Sequence, residues 1–122
     1  MVRVLTVDDQ PHFRAAARAL IGATPGLEMV AETASGESAL PLAQEVHPDV
    51  VLLDARMPGM NGLETARRLA ADDPDRVIVL VSSSDLQPLA GEAAASGVAA
   101  VLRKQWLTPR LLRGLWIAHR RR

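Results

Sequence analysis

Hydrophobic and polar positions along the chain follow two alternating patterns. VRVLTV, VVLLD and VIVLV are nearly continuous apolar runs, the pattern of strands covered on both faces. With two shorter runs they predict five strands, over Val2–Val7, Leu27–Glu32, Val50–Asp54, Val77–Val81 and Ala99–Leu102. Between the strands, apolar residues recur at helical spacing. The first helix is predicted from Pro11 to Ile21, with Phe13, Ala16, Ala17, Leu20 and Ile21 facing inward and Gly22 ending it. The second runs from Gly36 to Val46. Pro41 lies inside it without an N–H to donate and should kink or shorten it. The third covers Gly62 to Ala71 and the fourth Leu86 to Ser96. The fifth opens on a Thr108 cap and Pro109, then carries a stripe of Leu111, Leu112, Leu115 and Trp116.

Five strand–helix alternations imply an α/β fold, a parallel sheet with helices on both faces. Ligands of such sheets bind beyond the carboxyl ends of the strands. Asp8 and Asp9 follow the first strand there, Asp54 ends the third, Ser82 follows the fourth, and Arg103 and Lys104 follow the fifth. Each has an ordinary reading of its own. Asp9 is placed to cap a helix, Asp54 to open the turn continued by Pro58 and Gly59, Ser82 to be a loop serine and Lys104 a solvated charge. The topology brings all of them to one edge, which favours a shared site. Three carboxylates together call for a cation, and Mg²⁺ suits one or two carboxylates, a carbonyl and waters. Asp54 is then available as a nucleophile toward a phosphoryl group. Lys104, the Ser82 hydroxyl and nearby backbone N–H groups are placed to neutralise the phosphoryl oxygens.

Composition narrows the field. The chain has 122 residues, 48% of them hydrophobic, enough for a single real core and too many for a disordered chain. It contains no cysteine, no apolar run of membrane-spanning length and no signal-peptide pattern, so a cytoplasmic protein without a membrane role is expected. Fourteen basic and 14 acidic residues cancel, which gives no case for direct nucleic-acid binding. Lys104 is the single lysine among those 14 basic residues, the rest being arginine. A lone lysine suits a place that needs a compact ammonium. The basic end, LWIAHRRR, reads first as a solubilising helix terminus. His12, His47 and His119 are too scattered for a metal site and are expected in core or surface roles.

VRVLTVDD, VVLLDARMPGMNG, VIVLVSS and the lysine after the fifth strand together resemble the receiver domain of two-component response regulators. The segments VDDQPHFRAAARALI and GLEMVAETASGESAL are most similar to its NarL/FixJ-type branch. The resemblance implies a flavodoxin-type, CheY-like (βα)5 fold with strand order 2-1-3-4-5, and residues 1–122 as one receiver domain. It implies Asp54 as phosphoacceptor, and Asp8 and Asp9 as the acidic pair holding Mg²⁺ with Asp54 and the backbone carbonyl of Arg56. Ser82 takes the place of the switch hydroxyl, Lys104 that of the phosphoryl contact, and Gly62 that of the glycine after the phosphoacceptor. The implied donor is a histidine kinase or a histidine phosphotransfer protein. The implied output is transcriptional regulation through an effector domain outside this chain, and the implied dimer or partner face joins the fourth helix, fifth strand and fifth helix. Trp106 stands beside that face, where contact with a partner and packing on the fifth helix are equally open.

Three positions depart from the family pattern. Val101 replaces an aromatic residue three positions before the lysine, which puts the relay of the switch in question. Gln105 replaces a proline, so a trans bond and a differently shaped loop are expected. Ser83 replaces a small residue and is expected to narrow phosphoryl access. These departures give weight to a second reading, a pseudo-receiver that binds partners without phosphorylation. A third, a Mg²⁺-dependent aspartyl-phosphate phosphatase of haloacid-dehalogenase type, is disfavoured. Arg56 stands where that class carries an aspartate, and the chain has no room for a cap domain. The first reading is not an enzyme beyond its own phosphorylation and dephosphorylation.

Overall fold

A computed structural model describes residues 1–83 and 90–120. Its strands are β1 (Val2–Val7), β2 (Leu27–Thr33), β3 (Val50–Asp54), β4 (Val77–Ser82) and β5 (Ala100–Arg103). Its α-helices are α1 (Pro11–Gly22), α2 (Gly36–Val46), α3 (Gly62–Asp72), α4 (Ala90–Ala95) and α5 (Pro109–His119). A 3-10 turn, Lys104–Trp106, joins β5 to α5. The strands form one parallel sheet in the order β2-β1-β3-β4-β5, as expected.

Alternation along the strands divides the core into two layers. Leu5, Val7, Val51, Leu53, Ile78 and Leu80 pack with Ala39, Ala43, Ala66 and Leu69 of α2 and α3. Val4, Val50, Leu52, Val77, Val79 and Val81 pack with Phe13, Ala17, Ile21 and Leu112 of α1 and α5. β3 and β4 are buried throughout, because both their faces are covered.

Strand bounds agree with the sequence pattern to within one residue. Four helical details differ. The cap of α1 is Gln10, so Asp9 is not a capping residue. Gly22 is the last residue of α1, followed by Ala23 at φ −90°, and the left-handed glycine of this connection is Gly26 at φ +87°. Ala16 is exposed, since the buried stripe of α1 is the narrower set Phe13, Ala17 and Ile21. α2 keeps its full predicted length through Pro41, which is exposed and so loses one backbone bond without disturbing the packed face. Positions 86–89 of the predicted fourth helix lie outside the described residues.

Strand order reverses between β1 and β3, which opens a crevice at their carboxyl ends. Val7 pairs with Leu53, so the next residues on each strand, Asp8 and Asp54, emerge side by side. Asp54 pairs with Val81 and Ser82 with Arg103, which sets the remaining strand ends along the same edge.

Candidate functional site

The crevice is built by the sheet and finished by two loops. Asp8 is fully buried at the end of β1, and Asp9 beside it is exposed. One carboxylate oxygen of Asp8 accepts a bond from the Gln10 N–H at 2.8 Å, which folds the chain into α1. Asp54 is 4% exposed, and its Oδ1 accepts from the Arg56 N–H at 3.1 Å. Its role in the turn is therefore real and leaves Oδ2 facing the crevice. Asp8, Asp9 and Asp54 each bring a carboxylate oxygen within 4.8 Å of the others.

Lys104 enters from the turn after β5. Its ammonium lies 2.7 Å from Asp8 Oδ2 and 3.7 Å from Asp54 Oδ2, and donates to Gln10 Oε1 at 3.1 Å. It also stands 4.5 Å from the centre of the Phe13 ring, a favourable cation–π distance. Its side chain is 10% exposed, so it is not a solvated surface charge. Ser82 is buried at the end of β4 on the same edge. Of the side chains expected there, Asp8, Asp9, Asp54 and Lys104 come together, and Ser82 lies at the end of β4 along the same sheet edge. Of Arg56, an exposed residue, the bond made by its N–H is the contact that bears on the site.

The electrostatics favour a cation. Three carboxylates face one ammonium. The Asp54 carboxyl is pushed up to about 6, first by burial and then by the nearby charges of Asp8 and Asp9, against the pull of the Arg56 N–H and Lys104. Asp8 Oδ2 is a buried oxygen with no hydrogen-bond partner, its charge met by the Lys104 ammonium at 2.7 Å. An acceptor-only set of three carboxylates whose negative charge exceeds that of the one ammonium beside it fits a hard divalent cation such as Mg²⁺.

The loop after β3 is held by close approach. A Cβ on Gly62 would collide with the Asp54 carbonyl oxygen and lie 2.7 Å from Ala55 Cα, so only glycine lets α3 start here. Gly59 takes φ +76°, and Glu37 of α2 accepts the Met60 N–H at 2.6 Å. That bond draws the Glu37 carboxyl below its usual range. Asn61 caps α3 through the Glu64 N–H.

The departures have clear places. Val101 is half-buried against the α2–α3 layer. The described peptide bonds are all trans, including Lys104–Gln105, as the absence of proline predicts. Ser83 is exposed on a groove of about 340 Å³ that also bears Gln10, His12, Phe13, Lys104 and Gln105. Trp106 is 55% exposed, with the Arg103 guanidinium 5.8 Å from its ring centre, so packing on α5 does not cover it. His12, His47 and His119 are exposed, and among the described residues none joins a potential metal cluster.

Sequence reasoning missed Gln10, Phe13, Glu37 and Arg14, whose guanidinium donates to the Asp8 carbonyl oxygen at 2.7 Å. Gln10 alone carried a signal, its place directly after the acidic pair. The others act through a ring face or a main-chain atom, and residue type does not announce that.

An aspartate cluster with a lysine at the switch point of a five-stranded parallel sheet defines a class. The model of the response regulator receiver domain matches residues 4–115, and the chain belongs to that family. Among its relatives, response regulator GacA of Pseudomonas viridiflava is 38% identical over 104 residues, 85% of this chain and 49% of that protein. The nitrate/nitrite response regulator protein NarL of Escherichia coli (strain K12) is 36% identical over 112 residues, 92% of this chain and 52% of that protein. The chain thus spans about half the length of these relatives. The crystal structure of a LuxR-family two-component response regulator from Aurantimonas sp. SI85-9A1 superposes with a TM-score of 0.87 at 29% identity, covering 97% of this chain and 86% of that one. The chain is therefore a response regulator receiver domain of two-component signalling, CheY-like in fold and NarL-type in its relatives. Among the described residues no helix is long and apolar enough to cross a membrane.

Proposed function

We propose that this receiver domain accepts a phosphoryl group on Asp54 in a Mg²⁺-dependent reaction. The observation that carries the reading is the juxtaposition of Asp54 with Asp8, Asp9 and the Lys104 ammonium in a largely buried crevice. A carboxylate oxygen of Asp54 attacks the phosphorus of a phosphohistidine, the P–N bond breaks, and its electron pair stays on the imidazole. Asp8, Asp9, Asp54 and the Arg56 carbonyl would hold Mg²⁺, which when bound offsets the negative charge gathered around the phosphoryl group. Lys104 needs only a short swing from Asp8 to meet a phosphoryl oxygen at Asp54. Ser82 supplies a hydroxyl to another. The donor is a histidine kinase or histidine phosphotransfer protein. The chain catalyses its own phosphorylation and dephosphorylation and no other reaction.

The phosphorylated state is read out through the face of α4, β5 and α5, to a second copy or to an effector domain that regulates transcription. Half-buried Val101 is the observation that keeps the pseudo-receiver as a second reading, since it replaces the aromatic of the switch. Beryllium fluoride with Mg²⁺ separates the two. The melting midpoint is expected to rise in the unmodified protein, to stay fixed in Asp54→Ala, and to fall back on chelation. No rise in the unmodified protein contradicts phosphorylation and favours the pseudo-receiver.

A further inference from the structure

The peptide that joins Asp8 to Asp9 is gripped from α1. Arg14 Nη1 donates to its carbonyl oxygen at 2.7 Å. The same guanidinium lies 3.6 Å from Glu32 on β2 through Nε, and the Arg14 side chain is 20% exposed. Glu32 is held in turn by a forked contact from Arg18, at 2.7 and 3.0 Å. On the other side of the turn, Asp8 N–H donates to Thr33 O at 3.0 Å and Gln10 N–H to Asp8 Oδ1 at 2.8 Å. The plane of the Asp8–Asp9 peptide sets the angle between the two carboxylates, because the side chains leave from its two ends. Arg14 is the one side chain among the described residues whose bond to that carbonyl is recorded, and it reaches it from another element.

We infer that Arg14, braced by Glu32, is a positioning residue for the acidic pair: it fixes the Asp8–Asp9 peptide so that both carboxylates converge on a divalent cation. The inference rests on the metal-binding role proposed above for that pair. Outer contacts that orient ligands are commonly worth tenfold or more in metal affinity. The sign of the effect is what distinguishes positioning from simple charge. Arg14 is a cation close to a cation site, so by Coulomb repulsion alone its removal would strengthen metal binding. Positioning requires the opposite.

The test is Mn²⁺ affinity, measured from the free Mn²⁺ electron paramagnetic resonance signal, on the unphosphorylated domain. Asp9→Asn is expected to weaken binding strongly. If it binds as the unmodified protein does, the metal reading itself fails and this inference falls with it. Given a loss in Asp9→Asn, Arg14→Gln is expected to bind roughly tenfold more weakly. Glu32→Gln should shift affinity in the same direction but less, and the double variant should equal Arg14→Gln. Arg18→Gln, which touches Glu32 but not Asp8, should change affinity by no more than Glu32→Gln does. In the metal-free protein, Arg14→Gln should also speed amide exchange at Gln10. Unchanged or tighter Mn²⁺ binding in Arg14→Gln overturns the inference. Should Arg14→Gln fail to fold, Arg14→Met, which also removes the cation and the donor but keeps the packed stem, decides, and unchanged or tighter affinity there is the overturning result.

Discussion

Asp54 is a buried carboxyl beside two others, and that conflict has a signature in pH. Its ionisation is raised to about 6, so the folded state holds the proton more tightly than the unfolded chain does. The neutral carboxyl therefore contributes stability that is fully present below the unfolded value near 4 and is lost as pH rises through about 6. A shift of this size corresponds to roughly 2–3 kcal/mol. Metal-free Asp54→Asn is expected to be more stable than the unmodified domain at pH 7.5 by about 2 kcal/mol, with the difference shrinking toward pH 4. Urea unfolding across that range measures it, and a difference independent of pH would contradict the account. At this scale the sequence was informative where a residue acts through its own charge. Asp8, Asp9, Asp54 and Lys104 were legible from their places at strand ends. Arg14 was not, because its partner is a carbonyl six residues away, brought near only when β1 turns into α1.

The elements matter for what they hold at their ends. β3 delivers Asp54, and α3 must begin directly against the backbone of Asp54 and Ala55. Gly62→Ala is therefore expected to push the β3–α3 loop away, costing about 1–3 kcal/mol of stability. It should also weaken Mg²⁺ binding, since the Arg56 carbonyl rides on that loop. Thermal unfolding and Mg²⁺ titration check both, and a variant with normal stability and affinity would show that the close approach is unimportant. Element bounds were readable because the apolar runs of β1, β3 and β4 are short, rich in β-branched residues and bounded by polar positions. Pro41 misled in part: α2 keeps its predicted length, with Pro41 on its exposed side and Ala39 and Ala43 buried in the core. The reach of Glu37 from α2 to the Met60 N–H was invisible in the sequence, since it depends on how α2 and α3 lie together.

For the whole molecule, the order β2-β1-β3-β4-β5 aligns the ends of β1, β3, β4 and β5 along one edge and sets the turn after β5 at the rim of the crevice. That turn carries Lys104 into the site and exposes Trp106 on the outside, two residues on. A change at Asp54 that draws Lys104 across should therefore be felt at Trp106. In a Trp116→Phe background, Trp106 emission is expected to shift on binding of beryllium fluoride with Mg²⁺ or on dilution of a dimer. Insensitivity to both would remove Trp106 from the output face. The sequence made this architecture readable through its alternation of strand and helix, while the Arg103–Trp106 stack needed the turn to be seen. The most direct test of the central claim is intact-mass measurement after incubation with acetyl phosphate and Mg²⁺. The account expects a gain of one phosphoryl group, absent in Asp54→Ala and abolished by chelation. An unmodified mass, or a phosphoryl group that persists in Asp54→Ala, would contradict it.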